Sequence, residues 1–212
     1  MGTAYHDVHL TDDPNRRIVW RVLNEYLSPW IPPGGRVLEI GAGYCAWING
    51  VQAATRVAVD LWPELPRHTA PGVEARVLDA ATQLRLLGEG HFTTVLASNV
   101  LEHFEPDTAA RVIDDVASLL APGGRFIIIQ PNFRYAYRRY FDDYTHRSVF
   151  TDVSLSALLR SRGFRIEQCQ PRFMPYSMQG ARATVRPWLI KAYLRSPIKP
   201  RAGQMLIVAR KD

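Results

Sequence analysis

The chain has 212 residues, of which 47% are hydrophobic, and its formal net charge is +6. This length suffices for one α/β domain with a three-layer core and leaves no room for a second full domain. No apolar run is long enough to cross a membrane, and residues 1–10 lack the basic-then-apolar pattern of a signal peptide, so we expect a cytoplasmic protein. The two cysteines, Cys45 and Cys169, are too few for a disulfide framework or a zinc site.

The first predicted element is a helix that begins at Asp13 and Pro14, a capping residue followed by a proline in the first turn. Apolar residues recur at helical spacing from there to Pro29. They are Ile18, Val19, Val22, Leu23, Tyr26 and Leu27.

Two glycines, Gly41 and Gly43, follow a first predicted strand, and a second apolar run ends at Asp60. Glycines let the backbone turn tightly and approach a ligand, and a carboxylate at the end of the next strand can accept both hydroxyls of a ribose. The pattern therefore indicates a nucleoside pocket, with a plain strand-to-helix turn and a dinucleotide-binding loop as alternatives. Glu39 argues against the dinucleotide loop, because its charge would repel a pyrophosphate and attract a cationic group such as an ammonium.

Strands and helices alternate along the rest of the chain. Strands are predicted over residues 73–78 and 92–97, and each is followed by polar residues where it ends. These polar residues include Asp79, Ser98, Asn99, Glu102 and His103. The later predicted elements are a helix from Pro106 to Pro122 and Gly123, a fifth strand ending near Ile129, a helix from Thr151 to Gly163, and strands near residues 165–170 and 204–209.

These segments together resemble a class I S-adenosylmethionine-dependent methyltransferase of the small branch called type 11. The resemblance covers residues 37–129 and rests on E-x-G-x-G, the acids after strands two and three, N-x-L-E-H after strand four and L-x-P-G-G before strand five. It implies a three-layer, Rossmann-like α/β fold with helices between the strands. It also implies a seven-stranded, mostly parallel sheet of order 3-2-1-4-5-7-6 with one antiparallel strand. Cys45 departs from the pattern, because the family often has a third glycine there.

The resemblance divides this single domain into three parts. Residues 1–33 would form an N-terminal lid and helix, residues 34–131 the cofactor-binding core, and residues 132–212 a substrate-side loop, a helix and the last two strands. The residues expected to close over the cofactor as a lid are Tyr5, His6 and His9.

The resemblance also implies S-adenosylmethionine as the cofactor and assigns its contacts. We expect Glu39, Gly41, Ala42 and Gly43 near the methionine moiety, Asp60 on the ribose, Leu61 and Trp62 beside the adenine, Asp79 on the adenine amino group with Ala80 adjacent, and Ser98 and Asn99 under the methionine side chain.

Charge divides the chain unevenly, with a net −5 over residues 1–131 and +11 over residues 132–212. In open α/β sheets ligands bind beyond the carboxyl ends of the strands, and by resemblance the segments after strands five and six cover the second substrate. Residues 132–147 there combine aromatic rings with arginines, which predicts a small-molecule acceptor bearing phosphate or carboxylate. The expected contacts are Tyr135, Arg138, Arg139 and Tyr144.

Two other interpretations of the basic part stay open. Much of the excess of basic residues can be solvated surface, since the chain is rich in arginine, with 23 arginines and only 3 lysines. Nucleic acid is a rival partner that we regard as unlikely, because no recognition module or Asn-Pro-Pro-Tyr-like tetrapeptide supports it.

Residues 184–195 predict a short, imperfectly amphipathic helix. We expect it to pack on the domain or on a second subunit, so the protein would be a monomer or a homodimer. Peripheral contact with a membrane surface is the alternative. The apolar residues that share its predicted face are Val185, Trp188, Leu189, Ala192 and Tyr193, with Ile190 and Leu194 off that face.

Transfer to an oxygen acceptor would require removal of a proton. His103 and His146 are the candidate bases, because imidazole titrates near the working pH. His103 can equally be an ordered residue at a helix start, whereas the neighbours of His146 at positions 142–144 favour a functional role.

A metal-dependent variant of this chemistry exists among related methyltransferases, which hold a divalent ion with E-x-x-E-H after strand four. Here Glu102 and His103 keep the last two ligands, but Asn99 stands first. Asparagine is a poorer, neutral ligand, so we expect no metal.

The sequence therefore predicts methyl transfer by in-line displacement to a small-molecule, lipid-linked or glycan-linked acceptor, in a biosynthetic role. The alternatives are a non-catalytic scaffold that keeps the cofactor fold, and a methyltransferase acting on nucleic acid or protein. The intact cofactor motif favours the enzyme.

Overall fold

The computed structural model describes residues 13–176 and 186–212. Its strands are β1 (Arg36–Ile40), β2 (Thr55–Asp60), β3 (Val73–Val77), β4 (Phe92–Ser98), β5 (Leu120–Pro131), β6 (Phe164–Gln170) and β7 (Gln204–Lys211). Its α-helices are α1 (Pro14–Leu27), α2 (Pro106–Leu119), α3 (Phe133–Ala136), α4 (Asp152–Ser161) and α5 (Pro187–Arg195).

All seven strands form one sheet in the order β3-β2-β1-β4-β5-β7-β6. The pairs from β3 to β5 are parallel, and β7 runs antiparallel to both β5 and β6. The predicted fold class and strand order are therefore confirmed. Within the described ranges, no helix is both long and apolar enough to cross a membrane.

Side chains of successive residues in the central strands point to opposite faces of the sheet, and both faces are buried. Val37 of β1 packs on the face covered by α1 and α5, and its neighbour Leu38 packs on the face covered by α2 and α4. The result is a helix–sheet–helix arrangement with one hydrophobic core on each side of the sheet.

The helices α1 and α4 begin where the sequence predicts. Asp13 caps α1 by accepting a hydrogen bond from the Asn15 backbone N–H at 2.8 Å. Thr151 and Ser154 form a reciprocal capping box at the start of α4.

Three predicted details are wrong. The helix α2 ends at Leu119, because Leu120 already pairs with Phe92 of β4 as the first residue of β5. The connections from β1 to β4 are not regular helices but turns and short 3₁₀ segments. In the β2–β3 connection, prolines 63, 66 and 71 lack the backbone N–H that a longer helix would need.

The third wrong detail concerns α5, whose buried residues are Ile190 and Leu194 rather than the predicted face. These two lie one turn apart and pack in the same core as α1, and Lys191 pairs with Glu25 of α1 at 2.6 Å. Trp188 consequently stays 60% exposed. Residues 184 and 185 of the predicted helix lie outside the described residues, as do Tyr5, His6 and His9 of the predicted lid.

Asn132 fixes the point where β5 leaves the sheet. Its buried side chain donates to Asp152 Oδ1 at 2.9 Å and to the Pro171 carbonyl at 3.0 Å, and accepts from the Arg134 N–H at 3.2 Å. One amide thereby joins the end of β5, the start of α4 and the end of β6.

Asn132→Ala should lower the free energy of unfolding by about 2–4 kcal/mol, because it removes three hydrogen bonds and leaves buried partners unsatisfied. Urea unfolding monitored by circular dichroism measures this. Thr151→Ala, which removes only one exposed helix cap, should cost about 1 kcal/mol. Equal losses in the two variants would contradict the joining role of Asn132.

Candidate active site

The predicted cofactor-binding residues gather at one edge of the sheet, where the parallel strands β1 to β4 end. Backbone hydrogen bonds fix this edge: the N–H groups of Gly41 and Ala42 both donate to the Val59 carbonyl, at 2.9 and 3.0 Å. The N–H of Leu78 donates to the Asp60 carbonyl at 3.1 Å. Ligands of open α/β sheets bind at such an edge.

The glycine loop adopts conformations that other residues avoid. Gly41 has φ +70° and Gly43 has φ +48°. A Cβ on Gly41 would also lie 2.5 Å from Cγ2 of Val100, which follows β4. Gly41 is therefore required both for its backbone conformation and for the close approach of the turn after β4.

Asp60 is almost buried and is oriented by the glycine loop. Its Oδ2 accepts from the Gly43 N–H at 2.8 Å, and its Oδ1 accepts from the Trp62 N–H at 2.9 Å. These bonds hold the carboxylate at the end of β2, where the sequence predicts the ribose contact.

Glu39 is also buried, and its Oε2 accepts from the Ile48 N–H at 3.1 Å. Burial raises the pKa of Glu39, the Ile48 N–H opposes that rise, and the Asp60 charge adds to it. Burial and the charges of Glu39 and Asp60 likewise raise the pKa of Cys45 to about 12. Through its hydrogen bond with Ile48, Glu39 therefore anchors the segment that follows the glycine loop.

On the side predicted for adenine, Leu61 is 44% exposed while Trp62 is buried. The Trp62 ring stacks on His68 with centroids 4.7 Å apart, and Tyr44 meets both rings edge-on. Asp79 Oδ1 accepts from the Ala81 N–H at 2.8 Å, and Ala80 between them is half-buried.

At the end of β4, Ser98 is half-buried and Asn99 is exposed with φ +54°. The Asn99 N–H donates to the Ile129 carbonyl at 2.8 Å, and its Oδ1 accepts from Gln204 Nε2 at 3.1 Å. Asn99 thus joins β4 to β5 and to the start of β7. It therefore has a structural role in addition to the predicted contact with methionine.

A second cluster forms where the loop after β5 returns to the turn after β4. The backbone N–H groups of Arg147 and Ser148 donate to the Glu102 carbonyl at 2.8 and 3.1 Å. The Ser148 hydroxyl donates to the Phe104 carbonyl at 2.6 Å. This docking brings His146 against His103, with ring centroids 4.9 Å apart.

Hydrogen bonds assign the proton positions on both imidazoles. The Thr145 hydroxyl donates to Asp143 Oδ1 at 2.5 Å, so Thr145 Oγ1 accepts from His103 Nδ1 at 2.9 Å. His146 Nδ1 donates to the Tyr140 carbonyl at 2.6 Å. Nδ1 therefore carries a proton in each ring, and Nε2 of His146 lies 4.0 Å from Asp143 Oδ2.

The charges around the histidines follow from burial and these contacts. Burial lowers the pKa of His146 and outweighs the opposing influence of Asp143 and the Tyr140 carbonyl. Burial alone would raise the pKa of Asp143, but hydrogen bonds from Thr145 and the nearby histidines bring it below its usual value.

Glu102 is fully buried, and no other described residue donates a hydrogen bond to its carboxylate oxygens. Burial raises its pKa to about 8, its own backbone N–H opposes this, and the Asp143 charge adds to it. One ligand atom from each of Glu102, His103 and His146 lies within 4.8 Å of the others. Such a cluster can accept a proton or hold a cation.

The predicted acceptor residues lie on the same loop and are exposed. Arg138 stacks over the Tyr137 ring at 5.7 Å, and Arg139 over the Tyr176 ring at 5.6 Å. Tyr135 is 41% and Tyr144 74% exposed. The aromatic positions 133, 135 and 137 do not alternate as in a strand, because Phe133–Ala136 is a short helix, and the ring that enters the core is Tyr140.

The sequence identified both histidines and the neighbours of His146 at positions 142–144, but missed Thr145 and Tyr140 as partners. Tyr140 packs against His146, with ring centroids 4.6 Å apart, and its hydroxyl donates to the Ser148 carbonyl at 2.5 Å. The order Asp143, Thr145, His146 was the available signal, since a carboxylate, a hydroxyl and an imidazole this close along a loop can form a hydrogen-bond chain.

A groove of about 1010 Å³ lies between α1 and the segment after the glycine loop. It borders the predicted adenine side, because Tyr44 and His68, which contact Trp62, line it. Its described lining includes Arg17, Arg21, Asn49 and His68 but none of the residues predicted to bind the cofactor.

The chain matches a known protein family. Residues 15–169 match a family described as "Methyltransferase domain". The chain therefore belongs to the methyltransferase-domain family. The class predicted from the sequence, a methyltransferase that uses S-adenosylmethionine, is confirmed at the level of family and fold. A comparison with curated protein sequences finds no match.

Solved structures of methyltransferases share the fold across nearly the whole chain. A SAM-dependent methyltransferase from Archaeoglobus fulgidus is 20% identical with a TM-score of 0.70, covering 98% of each chain. The Burkholderia thailandensis 1,6-didemethyltoxoflavin-N1-methyltransferase, with S-adenosylhomocysteine bound, is 23% identical with a TM-score of 0.61, covering 99% of this chain and 84% of that one. The N-methyltransferase NodS from Bradyrhizobium japonicum, also with S-adenosylhomocysteine, is 15% identical with a TM-score of 0.64, covering 96% and 91%.

Gly41→Ala should lower the free energy of unfolding by about 2–3 kcal/mol, because a left-handed backbone strain adds to a clash with Val100. Gly34→Ala is the matched control: Gly34 has φ +73° but open space around its Cβ position, so only the backbone cost of about 1 kcal/mol should appear. The double variant Gly41→Ala/Val100→Ala should recover the steric part of the lost stability, as measured by thermal unfolding. No recovery would contradict the contact between the glycine loop and the turn after β4.

Proposed function

We propose that the protein transfers a methyl group from S-adenosylmethionine to a small, anionic, hydroxyl-bearing acceptor that binds over the loop after β5. The observation that carries this proposal is that this loop docks onto the turn after β4 and thereby places His146 against His103 of that turn. The strand β4 neighbours β1, which leads into the glycine loop. Cofactor residues and groups able to activate an acceptor thereby follow adjacent strands.

The residues at the edge fit the cofactor. Two acids, Asp60 and Asp79, end neighbouring parallel strands, where ribose hydroxyls and an adenine amino group could each donate to a carboxylate. The left-handed loop at Gly41 and Gly43 would let the methionine moiety approach the backbone. When bound, S-adenosylmethionine supplies a methyl group that its sulfonium centre already activates.

The protein itself would position the acceptor and remove a proton from it. The rings of His103 and His146 are oriented through Nδ1 by Thr145 and by the Tyr140 carbonyl, respectively. Imidazoles fixed in this way could take a proton from the acceptor. The hydrogen-bond chain through Asp143 keeps the His103 ring in one orientation.

An anionic acceptor is supported by the arginine and aromatic side chains of the loop. Ring contacts orient Arg138 and Arg139 while leaving them exposed, and a guanidinium can bind phosphate or carboxylate through two parallel hydrogen bonds. The net +11 of residues 132–212 would draw an anion toward this surface. The 1,6-didemethyltoxoflavin-N1-methyltransferase that shares the fold was solved with the small molecule 1,6-didemethyltoxoflavin bound.

Asp60→Ala should weaken binding of S-adenosylhomocysteine by about 2–4 kcal/mol, because two charge-assisted hydrogen bonds to the ribose are lost. Isothermal titration calorimetry measures this, with Asp114→Ala on the exposed face of α2 as the matched control. Wild-type affinity in the Asp60 variant, or preferential binding of NADH by the wild type, would reject the assignment.

Replacing Arg138 and Arg139 together with alanine should raise the acceptor KM by about tenfold or more with little change in cofactor affinity. The acceptor would come from an activity screen of hydroxylated carboxylates and phosphate esters. In the wild type, added salt should raise the same KM.

The control for this pair is Arg162→Ala with Arg165→Ala. It removes the same charge from the opposite edge of the sheet, where β6 begins beside the end of β7. A neutral acceptor whose binding is indifferent to salt and to both double variants would show that the basic loop is ordinary surface.

A further inference from the structure

The outward side of α5 exposes apolar side chains that the packing of the helix does not use. Ile190 and Leu194 are buried against the domain, so Trp188 and Ala192 lie on the opposite side of the helix, where both are exposed. Leu189, next to Trp188, is exposed as well. Isolated apolar residues are common on protein surfaces, whereas neighbouring ones on a basic helix are typical of a contact site.

The segment that follows α5 adds a further apolar side chain, Ile198, which is 77% exposed. Hydrogen bonds hold this segment against the end of the helix. The Ile198 N–H donates to Ser196 Oγ at 3.1 Å, and Lys199 Nζ donates to the carbonyls of Tyr193 and Leu194 at 3.2 and 2.9 Å. Ile198 is therefore kept in water beside the last turn of α5.

Basic residues surround these apolar side chains. Residues 186–201 contain five basic residues and no acidic one. The Glu25 carboxylate of α1 contacts this segment, but Lys191 pairs with it at 2.6 Å. The positive charge of the surface is consequently not cancelled. The exposed basic residues are Arg186, Arg195 and Arg201.

We propose that this surface binds the protein to an anionic lipid bilayer. We call it the α5 face, and it consists of Trp188, Leu189, Ile198, Arg186, Arg195 and Arg201. Its apolar side chains would enter the bilayer at the level of the headgroups, and its guanidinium groups would contact lipid phosphates. This inference goes beyond the proposed function and does not depend on it.

The charge and the aliphatic residues of the α5 face favour a bilayer over a second copy of the chain or a nucleic acid. A two-fold dimer through this face would bring the same basic residues against each other, and like charges across an interface are costly. Nucleic acid would engage the arginines and Trp188, but a phosphate backbone offers no partner to Leu189 and Ile198. A bilayer satisfies both, because its headgroups are anionic and the boundary beneath them is apolar.

The α5 face borders the loop after β5. Arg172 joins the two, because its Nη2 donates to the Lys199 carbonyl at 3.0 Å and its guanidinium lies over the Tyr135 ring at 5.3 Å. Binding to a membrane through α5 would therefore hold Tyr135 close to the lipid headgroups. An encounter with an acceptor there rests on the proposed function, whereas binding to the lipid does not.

The test is co-sedimentation of the full-length protein with vesicles of phosphatidylcholine alone and with vesicles of equal parts phosphatidylcholine and phosphatidylglycerol. The wild type should bind the anionic vesicles about tenfold or more tightly than the neutral ones, and added salt should weaken this binding. The pairs Trp188→Ser with Ile198→Ser and Arg186→Gln with Arg195→Gln should each weaken binding to the anionic vesicles by about tenfold or more.

Matched controls remove the same kinds of side chain elsewhere. Leu86→Ser replaces an exposed leucine whose neighbours Leu84 and Leu87 pack on the other face of the sheet, and Arg162→Gln with Arg165→Gln removes two charges where β6 begins. Both controls should bind the anionic vesicles like the wild type. Far-UV circular dichroism and the thermal midpoint check that every variant is folded.

Three results would overturn the inference. The first is absence of wild-type binding to the anionic vesicles, or unchanged binding by either pair of α5 substitutions. The second is a wild-type dimer in light scattering that Trp188→Ser with Ile198→Ser dissociates, since a second copy would then cover the face. The third is tighter wild-type binding to a single-stranded oligonucleotide than to the anionic vesicles. Methyl transfer is untouched by all three, because the assay needs neither cofactor nor acceptor.

Discussion

The candidate site depends on one backbone contact: the Glu102 carbonyl accepts hydrogen bonds from the N–H groups of Arg147 and Ser148. These bonds join the turn after β4 to the loop after β5, which are more than 40 residues apart in the chain. Without them His146 would not face His103, and the Glu102 side chain would not be sealed from water. Because β5 neighbours β4 in the sheet, the strand order brings the two segments to the same edge, and the carbonyl fixes their register.

Among the described residues two glutamates, Glu39 and Glu102, are buried, and their environments differ. Glu39 accepts a backbone hydrogen bond from Ile48 and supports the segment after the glycine loop. Glu102 has no such bond among the described residues. Buried polar groups are normally satisfied, so an unsatisfied carboxylate beside two imidazoles calls for a ligand or a proton. The same degree of burial therefore has a packing explanation at Glu39 and a chemical one at Glu102.

Much of this architecture was predictable from the sequence, because the helix caps, the glycine turn and the strand patterns all agree with the observed order of strands in the sheet. The caps of α1 and α4, the glycine loop and the acids that end β2 and β3 were all found in the sequence, since each depends on neighbouring residues or on strand periodicity. The face of α5 was predicted wrongly, because packing against α1 selects Ile190 and Leu194. The cluster around Glu102 was not predictable, because it depends on how the loop after β5 folds back onto another strand. His103 and His146 could be named singly, but their contact could not.

A crystal structure of the full chain with S-adenosylhomocysteine tests most directly whether the cofactor edge and the Glu102 cluster form one active site. The ribose hydroxyls should contact Asp60, and the sulfur atom should face Glu102, His103 and His146. S-adenosylhomocysteine bound instead in the groove beside α1, or with its sulfur directed away from the two histidines, would contradict it.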